Sequence, residues 1–256
     1  MDDRPPVPPE EKPHLIPLDA VLAILFSISL VLLTLSSEFL MESHELWEII
    51  CFLLPAVVIL GVRQSFGAVL TRVERPASEF PAAIFLVLSA ALLGLGLSGI
   101  TDNIFDLSEL SKELEKEIRS YGFFRQVIIF AVLPAVCEEA LFRGVILNSL
   151  KSMGKWTAIT LTAALFTVFH GSVELFLPIF VVSFALSVMA YGRGGLLLAA
   201  VCHFIHNFLN LLLMKWVEGD ASMAAAIVMT AAGAALTAVS LLVFRKVRRD
   251  DAETKI

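Results

Sequence analysis

Eight stretches of this sequence are too apolar and too long to be stable against water. They cover residues 18–35, 47–62, 80–99, 123–150, 156–170, 175–191, 195–214 and 221–247. Crossing the hydrocarbon core takes about 20 residues of α-helix. Within it a segment must satisfy its own backbone polar groups, which leaves helices for runs of this kind. The second and fifth runs are short for a full crossing, so tilt, a re-entrant path or local bilayer thinning enters their reading. The expected fold is all-α: a polytopic membrane helix bundle of about eight transmembrane helices. Composition agrees, with 57% hydrophobic and 17% charged residues, against roughly half and a quarter in soluble domains.

Basic residues set the expected orientation, because Lys and Arg near helix ends favour the cytoplasmic side. With the N-terminus cytoplasmic, that side carries Arg4, Lys12, Arg63, Arg72, Arg75, Lys151, Lys155, Arg193, Arg245, Lys246, Arg248, Arg249 and Lys255, 13 of the 19 basic residues. The other side keeps Lys112, Lys116, Arg119, Arg125 and Lys215, and Arg143 lies inside a run. Both termini are therefore expected in the cytoplasm of a multi-pass protein of a bacterial-type plasma membrane. Residues 1–16 read as a disordered tail, 17–247 as one transmembrane domain and 248–256 as a basic, then polar, tail. In residues 105–121, Leu107, Leu110, Leu114, Ile118 and Tyr121 recur at helical spacing among charges, as in an amphipathic interfacial helix. Cys51, Cys137 and Cys202 fall inside runs and suggest no disulfide framework.

Ionisable residues inside membrane spans are costly and generally face a bundle interior or a wet cavity. In the fourth run, Glu139 and Arg143 stand four apart on one helical face, with the acid first, and should pair. Glu138 is turned about 100° from Glu139 and is free to face a cavity. A carboxylate there could accept and return a proton as a general base. In the seventh run His203, Asn207 and Asn210 form a polar stripe, which could donate hydrogen bonds to an oxyanion or, through His203, bind a metal. His206, about 60° from His203, could join them or bond a neighbour. His170 closes the fifth run before Gly171, where the helix can end and open to water. At about 1.5 Å per residue, Glu138, His203, Asn207 and His170 lie roughly 12–21 Å from the cytoplasmic ends. That count predicts a cavity toward the cytoplasmic half.

Three ordered motifs carry a resemblance: Glu-Glu-x-x-x-Arg at Glu138, Glu139 and Arg143, Phe-x-x-x-His at Phe166 and His170, and His-x-x-x-Asn at His203 and Asn207. Together, over residues 123–213, they resemble the CAAX protease and bacteriocin-processing family of intramembrane proteases, which includes the type II CAAX prenyl endopeptidase. The resemblance implies a helical membrane bundle in which Glu138 and His170 activate a water while His203 and Asn207 stabilise the oxyanion. Glu139, Arg143 and Phe166 would support them. It also implies membrane-associated or lipidated peptides or proteins as substrates. The same residues leave a zinc-dependent variant open, with Glu138, His170 and His203 as a His₂Glu set; no cofactor is the favoured expectation.

Other classes stay in view. A non-catalytic scaffold, an immunity protein or a proton-coupled transporter would also keep a polar bundle interior. Residues 96–99, Gly-Leu-Ser-Gly, resemble a rhomboid serine motif, but small residues before a charged loop are better read as a close helix contact. The basic cluster at residues 245–249 reads as an anchor near anionic lipid, so the expected partner is the bilayer and no nucleic acid.

Overall fold

In the computed structural model the described residues are 15–37, 43–74, 76–105, 116, 118–192, 194–216 and 221–253. Each apolar run appears as helix. We label them α1 (Pro17–Leu35), α2 (His44–Val62), α3 (Pro76–Phe105), α4 (residues 123–150), α5 (Lys155–Phe169), α6 (Phe176–Ala190), α7 (Gly195–Trp216) and α8 (Met223–Glu253). No strand occurs among the described residues.

The chain is an integral membrane protein. Helices α1, α2, α3, α7 and most of α8 are long and apolar enough to cross a membrane. Against an expectation of about eight crossings, the described residues hold eight helical elements, five of them both long and apolar enough to span. At 15 residues each, α5 and α6 reach only about 22 Å, short of a core of roughly 30 Å. Helix α8 runs on to Glu253, past the boundary expected at residue 247. Of the expected interfacial helix, residues 106–115 and 117 lie outside the described residues. Ile118, at its far end, packs with Ala131 and Leu211.

Three π turns widen two helices: Ile49–Leu53 in α2, and Ile128–Val132 and Ala140–Ile146 in α4. The first two run into Leu54-Pro55 and Leu133-Pro134. Proline lacks the N–H that would bond four residues back and crowds that carbonyl, and a wider turn makes room for it. The carbonyl four before Pro55 is that of Cys51, which accepts from the Ser27 hydroxyl on α1. In the third π turn, Asn148 Nδ2 donates to the carbonyls of Arg143 and Gly144 at 2.7 and 3.0 Å.

Helices α3 and α8 meet backbone to backbone. A Cβ added at Gly96 would stand 2.4 Å from the Thr230 amide nitrogen, and one at Gly233 would stand 2.4 Å from that of Leu93. The small residues around Ser98 are therefore a packing seam, as their composition suggests. Ion pairs tie the helix ends. Arg63 meets Asp19 at 2.8 Å, and Arg248 meets Glu79 at 2.8 Å, so α1 begins and α8 ends beside the close of α2 and the start of α3. We call this the terminal end of the bundle and its opposite the distal end.

Candidate active site

The site is built on Arg143, a cation with no exposed surface in the middle of the bundle. Such a charge is tolerable only with an opposite charge and bonds for every donor. Its Nη1 donates to Glu139 Oε1 at 2.6 Å, Nη2 to the Ser183 carbonyl and hydroxyl at 2.9 and 2.7 Å, and Nε to the Ser187 hydroxyl at 3.3 Å. The guanidinium carbon sits 4.5 Å from the centre of the Phe166 ring. The expected pairing of Glu139 with Arg143 is present, and it joins α4 to α6 as well.

Glu139 Oε1 has a second partner, His203 Nδ1, at 2.8 Å. A carboxylate only accepts, so Nδ1 carries a hydrogen and the other nitrogen, Nε2, is left for the cavity. That Nε2 lies 3.8 Å from Glu138 Oε2, and Glu138 Oε2 has no hydrogen-bond partner among the described residues. The two adjacent glutamates thus divide as their helical angles suggest: Glu139 is tied into the ion network, while Glu138 faces open space.

His170 is the C-cap of α5, and Gly171 follows at φ +68°, a left-handed conformation that glycine adopts without strain. His170 Nδ1 lies 2.9 Å from the Phe166 carbonyl. A carbonyl only accepts, so Nδ1 is the protonated nitrogen and Nε2 is the free lone pair of the neutral ring. Phe166 lies between the two histidines, its ring 4.7 Å from that of His170 and 5.9 Å from that of His203. His206 Nε2 accepts from Asn210 Nδ2 at 3.1 Å.

Glu138, Phe166, His170, His203, His206, Asn207 and Asn210 all line one cavity of about 420 Å³, a size usual for a ligand site. Glu139 and Arg143 stand behind it. Cys137 and Cys202 are buried, free and absent from its lining. Among the described residues no group of three His, Cys, Asp or Glu side chains comes together as a metal site.

One expectation needs correction. The cavity does not lie toward the terminal end. Besides mid-helix Glu138 and His203, its lining includes His44 at the start of α2, Ser98 near the close of α3, Ile129 early in α4, His170 at the close of α5 and Leu175 just before α6. All five are distal. Helices α2 and α3 contribute to the wall as well: Glu48 and Trp47 of α2 and Ala91 and Gly94 of α3 line the same cavity. Glu48 is a buried acid whose sequence signal is the one that marks Glu138, an ionisable residue beside an apolar run. Ser183 and Ser187, four apart on apolar α6, offered a similar signal.

Residues 120–209 match the family model described as Type II CAAX prenyl endopeptidase Rce1-like. This segment is similar to the Rce1-like family. It takes in Glu138, Glu139, Arg143, Phe166, His170, His203 and Asn207, and leaves out His44, Glu48, Ser98 and Asn210. A curated relative, the uncharacterized protein YpbD of Bacillus subtilis (strain 168), is 34% identical over 92 residues, 36% of this chain and 47% of the relative. The chain thus spans about half the length of the curated relative it matches. No solved structure matches at a significant level. The remaining wall of the cavity, from α2 and α3, lies outside the matched segment.

Proposed function

We propose that the chain is an intramembrane endopeptidase acting on membrane-associated or lipidated peptides or proteins. The observation that carries this reading is the convergence of Glu138, His170, His203 and Asn207, from three helices, on one cavity, all four lying in the segment similar to the Rce1-like family. A water held between Glu138 and His170 Nε2 loses a proton to Glu138 and attacks the scissile carbonyl carbon. His203, held at Nδ1 by Glu139, turns Nε2 toward the developing oxyanion, and the Asn207 amide supplies a donor there. No step passes through a metal, and no cofactor is part of the reading.

The placement of basic residues supports cytoplasmic termini in a bacterial-type plasma membrane. With the cavity on the distal side, substrates then present the scissile bond from the side away from the cytoplasm.

The test is cleavage of a mixed library of membrane-anchored and lipidated peptides by purified wild type and Glu138→Gln, with and without a strong zinc chelator. The expected result is cleavage that needs Glu138 and survives chelation. Reversible loss on chelation would replace the metal-free step with a His₂Glu zinc site. Absence of any Glu138-dependent cleavage would turn the assignment toward a scaffold, immunity protein or transporter.

A further inference from the structure

Breaking an amide needs a proton on the leaving nitrogen as well as a base for the water, because an amide anion is too basic to leave unaided. The residues assigned above supply the base and the oxyanion donors. The cavity holds one further carboxyl, Glu48 on α2, outside the matched segment.

Glu48 is 9% exposed, and its Oε2 has no hydrogen-bond partner among the described residues. Other buried acids of the bundle are neutralised: Asp19 by Arg63, Glu79 by Arg248, Glu139 by Arg143. Glu48 forms no ion pair among the described residues, and no Lys or Arg lines the cavity. Glu48 and Glu138 line the same cavity. The other titratable groups on the lining are His44, from its own helix, with His170, His203 and His206.

Two carboxyls that share an apolar cavity without a fixed cation between them do not both ionise at small cost, and one keeps its proton. Glu138 has His203 Nε2 at 3.8 Å and is the carboxyl assigned above as the base; Glu48 has no such partner among the described residues.

Resting on the peptidase reading, we propose that Glu48 is the general acid of this site. Water oxygen bonds to the carbonyl carbon as one water proton passes to Glu138. The Glu48 proton then goes to the scissile nitrogen while the C–N bond breaks, its electron pair leaving with nitrogen. The products are a carboxylic acid and an amine. Return of the proton from Glu138 to Glu48 restores the starting state, so atoms and charge balance with water as the only co-reactant.

A leaving-group comparison tests this. One acyl peptide, chosen from those that wild type cleaves, is offered as its amide and as its 4-nitrophenyl ester, whose phenolate departs without a proton. Glu48→Gln keeps the shape of the side chain and removes the acid. It is expected to lower amide kcat by about 100-fold or more while changing ester hydrolysis by less than about threefold. Glu48→Asp, which retains an acid on a shorter arm, should fall between. An equal loss on both substrates, in protein whose unfolding midpoint in detergent is unchanged, would make Glu48 a structural or positioning group and overturn the proposal. Unchanged amide cleavage by Glu48→Gln would overturn it too. Amide cleavage retained by Glu138→Gln is a different failure, because it removes the peptidase reading on which the role of Glu48 rests.

Discussion

Arg143 shows how a single side chain can hold a reactive neighbour in place. Its four hydrogen bonds and one ring face are shared among Glu139, Ser183, Ser187 and Phe166, and Glu139 in turn fixes the ring of His203. Arg143→Ala leaves the Glu139 charge buried and unmatched, which should cost about 3–5 kcal/mol. Thermal unfolding in detergent will show this as a lowered midpoint together with lost activity, and Glu139→Gln should show the same pair of losses. Arg143→Lys should recover little, since an ammonium has neither the planar fork nor the stacking face. The α4 pair was legible because residues four apart on a helix must meet. The serines completing it lie on another helix, and local spacing does not say which helices touch. Glu48 was missed for a related reason: at the first turn of its run it looks interfacial, and only the packing of α2 beside α4 makes it a cavity residue.

At the scale of elements, apolar runs translated directly into helices, and the small residues near Ser98 into a helix contact. What the runs did not disclose is the π turns, each of which advances the downstream face by about one residue, or roughly 100°. Periodicity read with a constant turn cannot register that. The seam between α3 and α8 gives a sharp contrast between glycines. Gly96→Val pushes a side chain onto the backbone of Thr230, which no rotamer relieves, so a loss of about 1–3 kcal/mol or more is expected. Gly67→Ala places its methyl in open space and should change stability by no more than about 0.5 kcal/mol. Unfolding midpoints of the two variants, measured side by side, check both. Equal effects would mean that the seam is looser than the backbone distances imply.

For the whole molecule, the distribution of Lys and Arg and the position of the cavity make one joint prediction. Val173 lies in the exposed link after His170, at the distal end, and Met153 lies between α4 and α5, at the terminal end. With cytoplasmic termini, Val173→Cys in intact cells should react with a membrane-impermeant thiol reagent, and Met153→Cys should react only after lysis. The reverse pattern would invert the protein and present the cavity to the cytoplasm. The α3 seam also limits how a lipid-borne chain can travel to Glu138. Ala91, Gly94, Leu95 and Ser98 form one wall of the cavity, while Gly96 and neighbouring Leu93 lock the same helix onto α8. That pair behaves as a two-layer plate, and parting it would mean separating backbones already in contact. Traffic between bilayer and cavity is therefore left to joints closed by side chains alone, where a change of rotamer is enough to make a door.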